Sequence, residues 1–185
     1  LEGQLVSDQE GLGRESTIAD ELLGDVQLAR GDVDKALHNY SLGLRAAGEY
    51  GKINDLEGEL LRRVAEAQRQ QGELDRAVET GEAALAVCEK CGEAYEIGFC
   101  HRTMGLALVA RGDLERGDTQ FRRAISVFKQ QNLPRHWVES ILAFLDARLA
   151  TAGQAELLLI KRFLTEAQES TTSAIIDRRR RALLG

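Results

Sequence analysis

The sequence is poor in the residues that build sheets and break helices. It holds one proline, and aromatic side chains make up only 5% of it, with five phenylalanines, three tyrosines and one tryptophan. That scarcity, beside abundant Ala, Leu, Glu, Arg and Gln, argues against a strand-rich fold and predicts an all-α one. Cysteine is scarce and odd in number, three residues in all, which does not fit a secreted disulfide framework and leaves reduced thiols as the reading. No apolar run approaches the ~20 residues that span a bilayer, and no charged-then-apolar leader opens the chain. These absences point to a soluble, cytoplasmic protein with no membrane partner. Positive charge is in the minority, with 24 Lys and Arg against 30 Asp and Glu and a net charge of −6. A general nucleic-acid-binding surface is therefore disfavoured, and the one local exception is the run Arg178 to Arg181. Methionine occurs once, at Met104, and both ends of the chain are apolar, so the sequence reads as part of a longer protein.

What the sequence does have is a repeat. The phrases Gly31-Asp32-Val33-Asp34-Lys35-Ala36-Leu37, Gly72-Glu73-Leu74-Asp75-Arg76-Ala77-Val78 and Gly112-Asp113-Leu114-Glu115-Arg116-Gly117-Asp118 recur at intervals of 41 and 40 residues, and a weaker copy begins at Gly153. Apolar spacing on either side of each glycine follows the helical period, so each unit is a helical hairpin. In the first unit, Ile18, Leu22, Leu23, Val26 and Ala29 mark a helix face. Gly-Asp then acts as a stop followed by a start: glycine takes the left-handed conformation of a helix end, and the carboxylate accepts from the next helix's free amides. Gly51, Gly92 and Asn132 mark the second boundary at the same interval, and Pro134 suits the first turn of a following helix. The predicted helices are 16–30, 33–50, 54–71, 73–91, 94–111, 113–131, 134–152 and 154–169. Residues 1–15 form a lead-in, units fall at about 16–51, 54–92, 94–132 and 134–169, and 170–185 forms a C-terminal capping helix or linker.

Small residues recur where helices approach closely. Gly24, Ala65 and Gly105 lie twelve residues before Ala36, Ala77 and Gly117, while Gly43, Ala84 and Ala124 lie seven after them. Tyr40 and Phe121 occupy matching places, with Gly81 as the exception. This pattern resembles the tetratricopeptide repeat family over residues 16 to 152. Its interval is longer than that family's usual ~34 residues, as in the lengthened repeats of bacterial signalling and transcription regulators. The resemblance implies an α-solenoid of about eight helices plus a cap, a non-catalytic protein-interaction module, and recognition of a protein or peptide in a concave groove lined by the first helix of each pair. It further implies the regulatory part of a larger bacterial protein. A domain sensing a small anionic molecule or peptide is the alternative, and self-association into a homodimer through an apolar end of the solenoid is a third reading.

The candidate groove residues on those first helices are Arg62, Glu66, Arg69, Phe99, Arg102 and Leu106. Arg62, Glu66 and Arg69 share one helix face, where guanidinium groups could grip a carboxylate or phosphate. The competing reading is a solvated charged face in which Glu59 and Glu66 neutralise the arginines. Phe99 and Leu106 read as core before partner contacts, because large apolar side chains are usually buried.

Catalytic chemistry finds no support. Cys88, Cys91, Cys100 and His101 hold zinc-type ligand atoms, but Cys100 and His101 are helix neighbours about 100° apart, so no metal is expected. Gly11-Leu12-Gly13 lacks the remainder of a dinucleotide fingerprint. His38, His101 and His136 are dispersed over separate units with no nucleophile placed beside them. No cofactor is expected.

Overall fold

The computed structural model describes residues 2–50 and 55–149, with side chains described for 13–48 and 55–148, and Thr165 and Arg178 singly. Seven helices occupy the described residues: α1 (Glu2–Ala29), α2 (Val33–Tyr50), α3 (Asp55–Gln71), α4 (Leu74–Cys91), α5 (Ala94–Arg111), α6 (Leu114–Gln130) and α7 (Pro134–Leu149). Gly51, the helix expected at 154–169, the capping segment 170–185 and most of the Arg178 to Arg181 run lie outside them. α1 begins at Glu2 rather than near residue 16. Glycines at 3, 11 and 13 lie within it, but each weakens a helix by only ~1 kcal/mol, and the helix runs through them.

The punctuation is as the repeat predicts. Gly31, Gly72, Gly92 and Gly112 have φ between +74° and +91°, and Asn132 has φ +53°. Gly92 closes α4 by donating its backbone N–H to Glu89 O, and Gly112 closes α5 by donating to Val109 O. Asp113 accepts from the Arg116 backbone N–H at the start of α6, whereas Glu73 makes no such bond at α4.

Each helix packs on its sequence neighbour, and α1, α3, α5 and α7 also touch one another in succession, while α2, α4 and α6 do not. The first-helix side is therefore the narrower one, and the stack curves toward it. The core lies between the layers, with Tyr40, Leu60, Met104, Leu108, Phe121 and Phe128 fully buried.

The recurring small residues explain how close the layers come. A Cβ on Gly24 would fall on the Tyr40 ring, and one on Gly105 would lie 3.0 Å from the Phe121 ring. In these two units an aromatic of the second helix fills the gap over a glycine of the first. The middle unit reverses the arrangement: Ala65 replaces the glycine, Gly81 replaces the aromatic, and Met104 of the next unit fills the space, so that a Cβ on Gly81 would come 2.6 Å from Met104 Cγ. Gly81 is thus a compensated exchange.

Ile18, Leu22, Leu23 and Val26, which mark the apolar face of the first helix, are not its buried face: they are exposed by 37%, 57%, 52% and 47%. α1 instead turns Gly13, Thr17, Glu21 and Gly24 inward, because small residues let α2 and α3 approach on that side.

Candidate partner-binding groove

The narrow side of the stack carries charge in pairs that step from helix to helix. Arg63 on α3 sits among three carboxylates: Glu21 at 2.6 Å and Asp25 at 3.0 Å on α1, and Glu59 at 2.9 Å one turn away on its own helix. Burial works to lower the Arg63 pKa, but these carboxylates hold it above its usual value. Burial pushes Glu21 up to about 7 against the pull of Arg63, with Glu59 and Asp25 adding to the rise. Tyr40 donates to Asp25 at 2.7 Å and closes the cluster from α2.

One step along, Arg62 donates to Glu96 of α5 at 2.6 Å, both side chains being largely buried. The Arg62 guanidinium also lies over the Phe99 ring, 5.2 Å from its centroid, and Arg102 lies over the same ring at 4.5 Å. Arg102 meets Glu139 of α7 at 3.7 Å, a looser pair than those around Arg62 and Arg63. Glu139 is held at 2.8 Å by Arg135, its i−4 neighbour. Burial lowers the Arg102 pKa, with Glu139 opposing. Beside it, Tyr95, Phe99, Phe128 and His136 form a cluster of edge-on and tilted rings with centroids 4.8–6.4 Å apart, and the Tyr95 hydroxyl lies 3.3 Å from His136 Nε2.

The surface is chemically mixed. A largely buried guanidinium, only loosely paired with its carboxylate, adjoins an aromatic cluster whose outermost ring, Tyr95, is 43% exposed. Such a surface suits a ligand with a negative group beside an apolar one.

No family model matches the sequence, and no curated protein matches it. Solved structures do. The N-terminal domain of stress-induced protein-1 (STI-1) from C. elegans is similar with a TM-score of 0.51 at 19% identity, over 69% of this chain and 96% of that one. BtubC (BKLC) from P. vanneervenii is similar with a TM-score of 0.55 at 16% identity, over 97% of this chain and 92% of that one. The fold is a tetratricopeptide-like helical repeat.

Within this tetratricopeptide-like array, five of the six candidate residues fall into two groups and Leu106 stands apart. Arg62, Phe99 and Arg102 come together across α3 and α5. Glu66 and Arg69 instead pair with each other along α3, at 2.6 Å and 2.9 Å. Leu106 is half-buried, one turn beyond Arg102 on α5. The sequence reading missed Glu96, Glu139, Tyr95 and His136. The period itself holds a signal for one pair, since Tyr95 and His136 are 41 residues apart, as are Arg14 and Asp55, which join α1 to α3 at 2.7 Å.

The zinc-type ligand atoms are not gathered. Cys88 and Cys100 are buried side by side, the Cys100 S–H donating to Cys88 and lowering its pKa. His101 turns to Gln120, 2.7 Å from Nδ1. Among the described residues, no group of three or more His, Cys, Asp or Glu is arranged to hold a metal ion, and no helix is long and apolar enough to cross a membrane.

Proposed function

We propose that this chain is a non-catalytic interaction module that recognises a protein or peptide partner on its narrow side, between α3, α5 and α7. The observation that carries the reading is Arg102, three-quarters buried, stacked on Phe99 and only loosely paired with Glu139. A partner carboxylate replacing Glu139 would gain a charge-assisted bond in a partly desolvated setting, which is where such bonds are strongest. The pairs of Arg62 with Glu96 and Arg69 with Glu66 hold the surface in shape and leave Arg102 as the contact.

The setting we propose is the regulatory part of a larger bacterial signalling or transcription-regulating protein. A photo-cross-linking amino acid in place of Leu106 should capture a partner in cells, while the same group in place of Glu79, exposed on α4, should not. Arg102→Gln should reduce capture at position 106 by roughly tenfold, the scale of one charge-assisted bond. Equal capture from both faces overturns the proposal. The looseness of the Arg102–Glu139 pair also favours a second reading, a small anionic ligand. Succinate raising the melting temperature of the native chain and not of Arg102→Gln would select it.

A further inference from the structure

We propose that the exposed face of α1 receives a further helical hairpin, stacked as α3–α4 stacks on α5, in an interface separate from the groove. Ile18, Leu22, Leu23 and Val26 are all more than a third exposed, an unusual stripe of aliphatic surface for one helix. Its register says what it fits. Counting back from the glycines at 31, 72 and 112, Ala19, Leu23 and Val26 correspond to Leu60, Val64 and Ala67 of α3 and to Cys100, Met104 and Ala107 of α5. Those residues pack on the preceding second helix: Leu60 lies 3.2 Å from a Cβ placed on Gly43, Met104 covers Gly81, and Cys100 and Ala107 join clusters with residues of α4. Ile18 corresponds to Phe99, which takes the Arg62 guanidinium of the preceding first helix. The surface that α5 turns to α3–α4 therefore has its counterpart on α1, with no described residue stacked against the exposed stripe.

The same register states the chemistry of the occupant. A hairpin of the α1–α2 kind would place carboxylates equivalent to Glu21 and Asp25 against Leu22, where α3 offers Arg63. That match is poor. A hairpin of the α3–α4 kind fits. Its second helix carries small residues at positions 77, 81 and 84, so Leu23 takes the place of Met104 over Gly81, and the arginine at position 62 meets Glu15, the register equivalent of Glu96. The occupant is thus a helical hairpin with an arginine midway along its first helix and an Ala/Gly face on its second.

The test appends a copy of residues 55–91 upstream of Leu1 of the full chain through a flexible Gly/Ser linker and reads amide hydrogen exchange. Exchange at residues 18–26 should slow by about tenfold against the chain carrying the linker alone. Leu23→Arg with Val26→Arg, at exposed positions that leave the helix intact, should abolish the slowing with an unchanged circular dichroism spectrum. Absence of slowing, or slowing that survives the two arginines, overturns the proposal. Sedimentation of the chain without the appended copy gives the remaining outcome: a concentration-dependent dimer lost on Leu23→Arg with Val26→Arg would make a second copy the occupant and overturn it as well.

Discussion

Glu21 shows how one buried carboxyl governs its surroundings. In the unfolded chain it titrates near the ordinary 4.5, and burial beside Glu59 and Asp25 raises it to about 7 in the folded one. Between those values the folded state holds more protons than the unfolded state, so this contribution to stability is fully present below about 4.5 and is lost as pH rises through about 7. The loss should be on the order of 1–2 kcal/mol once water at the half-exposed Asp25 and Glu59 is allowed for. Urea unfolding at pH 5 and pH 8 should show the native chain losing this amount relative to Glu21→Gln, and equal losses would refute the assignment. Two glycines of the first hairpin differ as sharply in what they tolerate. Gly24→Ala drives a methyl into the Tyr40 ring, which is fully buried and tethered to Asp25, so it should destabilise by about 2–3 kcal/mol. Gly48→Ala, exposed on α2 with nothing near its Cβ, should stabilise by roughly 0.5–1 kcal/mol through helix propensity. Thermal denaturation of the two variants reads both signs.

At the level of elements, the stop-and-start signal between helices is separable into its two residues. Gly112 has φ +91° and open space around its Cβ, so Gly112→Ala is penalised by backbone conformation alone, about 1–2 kcal/mol. Asp113 accepts from the Arg116 amide at 3.4 Å, a long bond, so Asp113→Ala should cost about 0.5 kcal/mol, the low end for a helix cap. Chemical denaturation should rank the two in that order, and the reverse order would mean the side-chain cap dominates the turn. These local signals are why the helices were legible: α5 was expected at 94–111 and runs Ala94–Arg111, and α7 begins at Pro134. The start of α1 was not, because no capping residue marks it. Its buried face was not legible for a different reason. Periodicity identifies an apolar stripe but not which element covers it, and in α1 the inward line is Gly13, Thr17, Glu21 and Gly24, a row of small and polar residues with no hydrophobic signal.

Across the whole molecule, the repeat interval brought Arg62 and Arg102 onto one surface, since equivalent positions of successive first helices lie side by side. Their partners were hidden because the long side chains do not reach straight across. Arg62 meets Glu96, 34 residues on, while Arg63 meets Asp25, 38 residues back, and Arg14 meets Asp55 at 41. No single offset in the sequence describes such a ladder. These pairs join units whose stability is a sum of nearest-neighbour terms, so their loss should be felt as lost cooperativity. The Arg62–Glu96 pair tests this most directly, since both side chains are largely buried. Glu96→Leu alone leaves the Arg62 charge without its carboxylate and should cost about 3 kcal/mol, while Arg62→Met with Glu96→Leu replaces the pair by apolar contact over Phe99 and should recover most of it. In urea, Glu96→Leu should also broaden the transition, as the α1–α4 half melts apart from the α5–α7 half, and the double variant should restore a single steep one. A single variant that loses stability with an unchanged slope would mean that the apolar layer between α4 and α5 couples the two halves without help from the charged ladder.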